Sequence, residues 1–163
     1  SGQPDLMVPI GEELSRGVEF DVSGRILPYW SIMASYAFNV AEISKAPEGT
    51  KDLNLQHPGT PRHSANLWTK FIVPTGMLRN LGIGIGLNGV SERKGQVGRR
   101  ENVVSYPGYG LLNLALYYKV REVQLQLNLN NALNKQYYIS GYDRLRSFPG
   151  APRNINITAT YRF

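Results

Sequence analysis

The chain has no cysteine, only two histidines and two tryptophans, and no long apolar run. Without cysteine there is neither a disulfide framework nor a zinc–thiolate site. Without a run of about 18 apolar residues, no helix of this sequence spans a membrane. That absence leaves a membrane β-barrel open, because a barrel strand is apolar on one side only. The chain does not begin on Met and carries no signal peptide, so it reads as a mature or truncated chain. No P-loop, zinc motif or isolated carboxylate pair occurs, so no catalytic residues are assigned and no enzyme is expected. His57 and His63 lack metal-ligand spacing and read as loop residues, with no metal site expected.

Two motif matches fail on context. Gly84-x-Gly86-x-x-Gly89 has the dinucleotide spacing, but that motif needs a helix opening at its glycines. Here Leu81, Ile83, Ile85 and Leu87 carry an alternating pattern straight through them, leaving Gly82, Gly84 and Gly86 as a bare stripe suited to close approach by other backbone. Asn156-Ile157-Thr158 has the form of a glycosylation acceptor but sits inside an alternating run.

What the chain does have is alternation. At 163 residues it has the length of one domain or of a piece of a larger one. Val18, Phe20, Val22 and Ile26 share one face of a first run; Trp30, Ile32, Ala34, Tyr36, Phe38 and Val40 share one face of a second. Further runs carry Ala65, Leu67, Phe71 and Val73, then Leu81 to Leu87, then Leu112 to Val120, then Val123, Leu125, Leu127, Leu129 and Leu133. The last run ends the chain with Ile155, Ile157, Ala159, Tyr161 and Phe163. An eighth strand near Leu6 to Ile10 is weakly marked. The expected fold is all-β, an antiparallel up-and-down meander of about seven or eight long strands. Residues 1–14 are expected as a lead-in or partial strand, and 15–163 as the barrel segment. Strands of roughly 10–13 residues suit a tilted membrane crossing better than a soluble sheet.

The connections sort by length. Leu27 to Tyr29, Pro74 to Asn80 and Val120 to Glu122 are short; Ser44 to His63, Glu92 to Pro107 and Ser140 to Arg153 are long. A meander puts all the short turns at one end and all the long loops at the other, as outer-membrane barrels do. The long loops hold ten of the basic residues against five acids, net +5 of the chain's +6. A positive rim steers anions inward. No helix or stacking platform accompanies Arg93-Lys94 or Arg99-Arg100, so nucleic acid is not an expected partner.

The opposite face carries amide runs, Gln124, Gln126, Asn128 and Asn130, which suit a crowded, hydrated lumen. Tyr29, Trp30, Tyr118, Tyr161 and Phe163 gather at the short-turn end, with Tyr137 and Tyr138 near the other, as the two aromatic girdles of a membrane barrel would. A soluble barrel with apolar residues inward, binding a small apolar ligand, is the alternative. Tyr142, Arg144, Arg146 and Phe148 are the candidate contacts to an anionic, aromatic ligand, with Arg93, Arg99 and Arg100 as steering charge.

Taken in order, SRGVEFDVSGRILPYW, ASYAFNVAEI, PRHSANLWTKF, LGIGIGLNGVSERKG, PGYGLLNLALYYKV, LQLNLNNALNKQYY and PGAPRNINITATYRF resemble the C-terminal end of TonB-dependent siderophore receptors, from about Ser15 to Phe163. The resemblance implies an outer-membrane protein of a Gram-negative bacterium, in contact with outer-membrane lipid, whose transported ligand is a ferric siderophore. It implies no cofactor bound directly. It implies a larger barrel filled by an N-terminal plug and energised by the TonB complex, and this chain has no room for the plug or the TonB-contacting segment. The expectation is therefore a part of a longer receptor; a small self-closed barrel, or edge pairing with another chain, are the alternatives. In that family the terminal aromatic strand is also recognised by the barrel-assembly machinery, which gives Ile155, Ile157, Ala159, Tyr161 and Phe163 the role of an assembly signal.

Overall fold

A computed structural model describes residues 11–45, 55–95, 104–141 and 145–163. Among the described residues eleven strands form in chain order: β1 (Glu12–Leu27), β2 (Trp30–Lys45), β3 (His63–Ile72), β4 (Leu81–Val90), β5 (Arg93–Lys94), β6 (Ser105–Tyr106), β7 (Tyr109–Val120), β8 (Val123–Asn130), β9 (Tyr138–Gly141), β10 (Ser147–Pro149) and β11 (Asn154–Tyr161). Seven of them make one antiparallel meander, β1-β2-β3-β4-β7-β8-β11; β5–β6 and β9–β10 are small hairpins inside two of the long loops. The eighth strand expected near Leu6 to Ile10 lies outside the described residues.

The register shows why the alternation matters. Val18 pairs Phe38, and Phe20 pairs Tyr36. Leu67 pairs Leu87, and Phe71 pairs Ile83. Ile83 then pairs Leu116, Leu116 pairs Leu127, and Leu127 pairs Ile157. Partners in an antiparallel pair share a face, so the apolar sides of all seven strands join into one continuous surface. Its side chains stay exposed, from Val18 through Leu116 to Ile157. Among the described residues the buried hydrophobics are Tyr106 and Ala115 alone. A soluble barrel of this chain would need those same apolar residues packed inward, and they are not.

Strand lengths depart from the roughly uniform set expected. β1 and β2 have 16 residues each, whereas β8 and β11 have 8. At about 3.3 Å per residue and 45° tilt, 16 residues rise some 37 Å, more than the roughly 25 Å apolar band of a barrel. The surplus of the β1–β2 hairpin is polar: Lys45 pairs Glu12 at 2.5 Å, and His57 lies 3.3 Å from Glu13. This pairing starts β1 at Glu12, inside the stretch expected as a lead-in. β8, by contrast, stops at Asn130, because Asn131 turns to φ 48° and leaves Leu133 beyond the strand.

Short turns do cluster at one end. The backbone N–H of Arg162 donates to Glu122 O at 3.1 Å, so the chain's last residues lie beside the β7–β8 turn. Trp30 donates from Nε1 to Thr69 Oγ1 at 2.8 Å, Tyr29 meets Phe71 edge-on at 5.5 Å, and Tyr161 lies 6.4 Å from Phe163. An aromatic band therefore follows this end of the sheet.

Candidate functional site at the polar wall and the long-loop end

The other face of the sheet is a bonded polar wall. Asn131 N–H donates to Asn113 Oδ1 at 2.9 Å, and Asn113 Nδ2 to Asn88 Oδ1 at 2.6 Å. Asn88 Nδ2 donates to Asn66 Oδ1 at 2.6 Å, and Asn66 Nδ2 to Ser35 Oγ at 3.2 Å. Ser35, Asn66, Asn88 and Asn113 lie on neighbouring strands and Asn131 just past the end of β8, so the row runs across the sheet. Below it the glycine stripe is filled. Trp68 lies over Gly84 and Gly86, and Tyr117 over Gly82 and Gly84; a Cβ added at Gly84 would come within 2.8 Å of the Trp68 ring. Lys70 Nζ sits 3.9 Å above the Tyr117 ring. The stripe thus receives aromatic side chains from β3 and β7 rather than approaching backbone.

At the long-loop end, the β2–β3 and β4–β7 connections are stitched together by backbone bonds. Gly59 N donates to Lys94 O at 2.8 Å, and Ser91 N to His63 O at 2.9 Å. Lys94 reaches both Glu92 and Ser105, and this holds the Glu92 carboxyl below its ordinary range; the Lys94 hydrogen bond is the largest cause. His63, expected in a loop, opens β3 and shares a 2.8 Å hydrogen bond with Tyr36.

Arg93 is not one of the exposed rim charges. It is 5% exposed, and its two terminal nitrogens donate to Tyr138 O at 2.5 Å and to Ile139 O. Its position one residue after Glu92 gave no sign of burial; the hairpin partner that covers it is far away in sequence. Arg146 and Phe148 stand exposed on the β9–β10 hairpin. Tyr142, Arg144, Arg99 and Arg100 lie outside the described residues. Of the terminal strand, Ile155, Ile157, Ala159 and Tyr161 pair Leu129, Leu127, Leu125 and Val123 on the apolar face, and Phe163 projects fully exposed beyond the last pair.

Asn131 was not marked by the sequence. It is 3% exposed; its side chain donates to Lys135 O and Ala151 O and accepts from Lys135 N. Two adjacent asparagines closing an amide-rich strand are a weak signal for such a clamp.

Over residues 2–132 the sequence matches the family described as TonB dependent receptor-like, beta-barrel. The chain belongs to that family. Its sheet is accordingly a segment of a transmembrane outer-membrane-type β-barrel. Among relatives of this TonB-dependent barrel, the metal-pseudopaline receptor CntO of Pseudomonas aeruginosa is 27% identical over 98% of this chain and 22% of its own length. The catecholate siderophore receptor Fiu of Escherichia coli is 29% identical over 94% of this chain and 20% of its own. In the crystal structure of the siderophore receptor PiuA from Acinetobacter baumannii, 22% of that chain superposes on 93% of this one with TM-score 0.79 and 25% identity. The closed form of Fiu gives TM-score 0.79 at 26% identity, covering 94% of this chain and 21% of that one. The chain thus spans about a fifth of the length of the curated relatives it matches.

Proposed function

We propose that this chain is the C-terminal part of the barrel of an outer-membrane receptor that binds and imports ferric siderophores in a Gram-negative bacterium. The observation that carries the reading is the likeness over almost the whole chain to receptors named for siderophores. The two-faced sheet supports it: an apolar face for lipid, a bonded amide wall for a hydrated lumen, and long loops at one end only. The role is transport rather than catalysis. In the intact receptor the plug fills the lumen against the amide wall, the TonB complex supplies energy from the periplasm, and the barrel-assembly machinery reads the terminal strand.

In this reading Arg146 and Phe148, with Tyr142, Arg144, Arg99 and Arg100, form the part of the ligand-facing rim that this chain contributes. Arginines offer charged hydrogen bonds to an anionic siderophore, and aromatic rings offer apolar contact. Iron-starved cells lacking the gene for the whole receptor should lose uptake of a labelled ferric siderophore and regain it on complementation; unchanged uptake across ferric catecholates and ferric hydroxamates sinks the reading. Replacing Arg144 and Arg146 together by Ala should weaken ligand binding by about 2–4 kcal/mol if each makes one charged hydrogen bond, as measured by titration of the purified receptor.

A further inference from the structure

One arginine at the long-loop end is spent inside the protein. Arg93 belongs to the loop between β4 and β7, yet both of its terminal nitrogens bond carbonyls of β9, in the loop between β8 and β11. Its Nε is shut from solvent without an acceptor. The Tyr109 ring lies 5.3 Å beneath the guanidinium. A guanidinium so enclosed has no fork left to offer a ligand. Tyr106 pairs with Arg93 in the β5–β6 hairpin and crosses to the same target. Its hydroxyl shares a 2.9 Å hydrogen bond with Ser147, its ring lies 5.8 Å from Tyr138, and its hydroxyl end occupies the space a side chain at Gly141 would need. The Arg93 bonds to Tyr138 and Ile139, and the Tyr106 contacts to Ser147, Tyr138 and Gly141, all join one long loop to the other.

We propose that Arg93 is a positioning residue that, with Tyr106, yokes the two loops into one body, so that the β9–β10 hairpin is held in place from a distance of about 45 residues in sequence. The inference rests on the proposed function only for what that hairpin presents, namely Arg146 and Phe148; the yoke itself is read without ligand. Because Arg93's acceptors are backbone carbonyls, the side chain of Ile139 is not required for its bonds. A lysine at position 93 keeps the charge but has no planar fork to match the two carbonyls.

The test is amide hydrogen exchange in the ligand-free, full-length receptor in detergent, followed at Tyr138 to Gly141 and at Ser147 and Phe148. Arg93→Gln should speed exchange about tenfold in both β9 and β10, the loss of roughly one charged hydrogen bond. Arg93→Lys should fall between, and Ile139→Ala should exchange as the unaltered receptor does. Tyr106→Phe should speed exchange in β10, but add less on top of Arg93→Gln than it does alone, as expected for groups sharing one latch. Unchanged β9 and β10 protection in Arg93→Gln overturns the proposal, as does acceleration confined to β5 and β6. If Arg93→Gln fails to assemble, Arg93→Lys and Tyr106→Phe carry the same comparison. Failure of siderophore uptake would overturn the proposed function and leave this exchange pattern standing.

Discussion

At Asn131, a left-handed backbone coincides with a side chain cut off from water. Asparagine tolerates φ 48° better than most residues, and its amide holds both ends of the last loop, at Lys135 and Ala151. Asn131→Ala should destabilise the barrel by about 2–4 kcal/mol, from lost buried hydrogen bonds and backbone strain together. Asn131→Gly loses the same bonds without the strain, so it should be milder by about 1 kcal/mol; urea unfolding in detergent separates the two, and equal losses would remove the backbone argument. Glu92 makes a second residue-scale prediction. Its carboxyl titrates below the ordinary glutamate value of 4.5, so its contact to Lys94 and Ser105 is present above that value and is lost as pH falls through the lowered one. NMR titration of Glu92 should show the depressed midpoint, and Lys94→Met should move it back up.

Elements divide into those written in the sequence and those made by pairing. Period-2 alternation reports a strand's two faces directly, so the seven long strands and the sorting of short and long connections were legible from residues such as Val18 to Val22 and Leu125 to Leu129. Register between strands is not contained in either strand alone. That is why the amides at 66, 88 and 113 gave no sign of forming a row, and why the glycine stripe gave no sign of receiving Trp68 and Tyr117. β5, β6, β9 and β10 have two to four residues each, too short for any period, so the burial of Arg93 was illegible too. The stripe yields a prediction. Gly86→Ala brings a methyl into the Trp68 ring and should cost about 1–3 kcal/mol of overpacking, read as a lowered urea unfolding midpoint in detergent. For β11, the apolar pairing of Ile155 to Tyr161 ends at an exposed Phe163. Deleting Phe163 should reduce the amount of receptor assembled in the outer membrane far more than the ligand affinity of the molecules that do assemble; normal insertion of the deletion contradicts the assembly role.

For the molecule as a whole, the proposed function gives lipid the place that a core has elsewhere. With Tyr106 and Ala115 as the buried hydrophobics, the apolar face has nothing among the described residues to cover it. Leu127 stands midway along β8 and pairs Leu116 on one side and Ile157 on the other. Leu127→Arg should therefore destabilise the receptor in vesicles by about 2–4 kcal/mol, the depth-dependent cost of a cation at the bilayer midplane, while Asn128→Arg, one residue on and facing the lumen, should cost far less; equal effects would assign the faces wrongly. The lumen side carries a consequence of its own. The row from Asn131 through Asn113, Asn88 and Asn66 to Ser35 starts at a backbone N–H, which can only donate. That fixes Asn113 with its oxygen toward β8, and each amide then dictates the next. Neither Asn113 nor Asn88 can rotate by half a turn without setting donor against donor on one side and oxygen against oxygen on the other. The wall therefore has a sense of direction, running around the barrel from one strand to the next, and one peptide group decides which way it points.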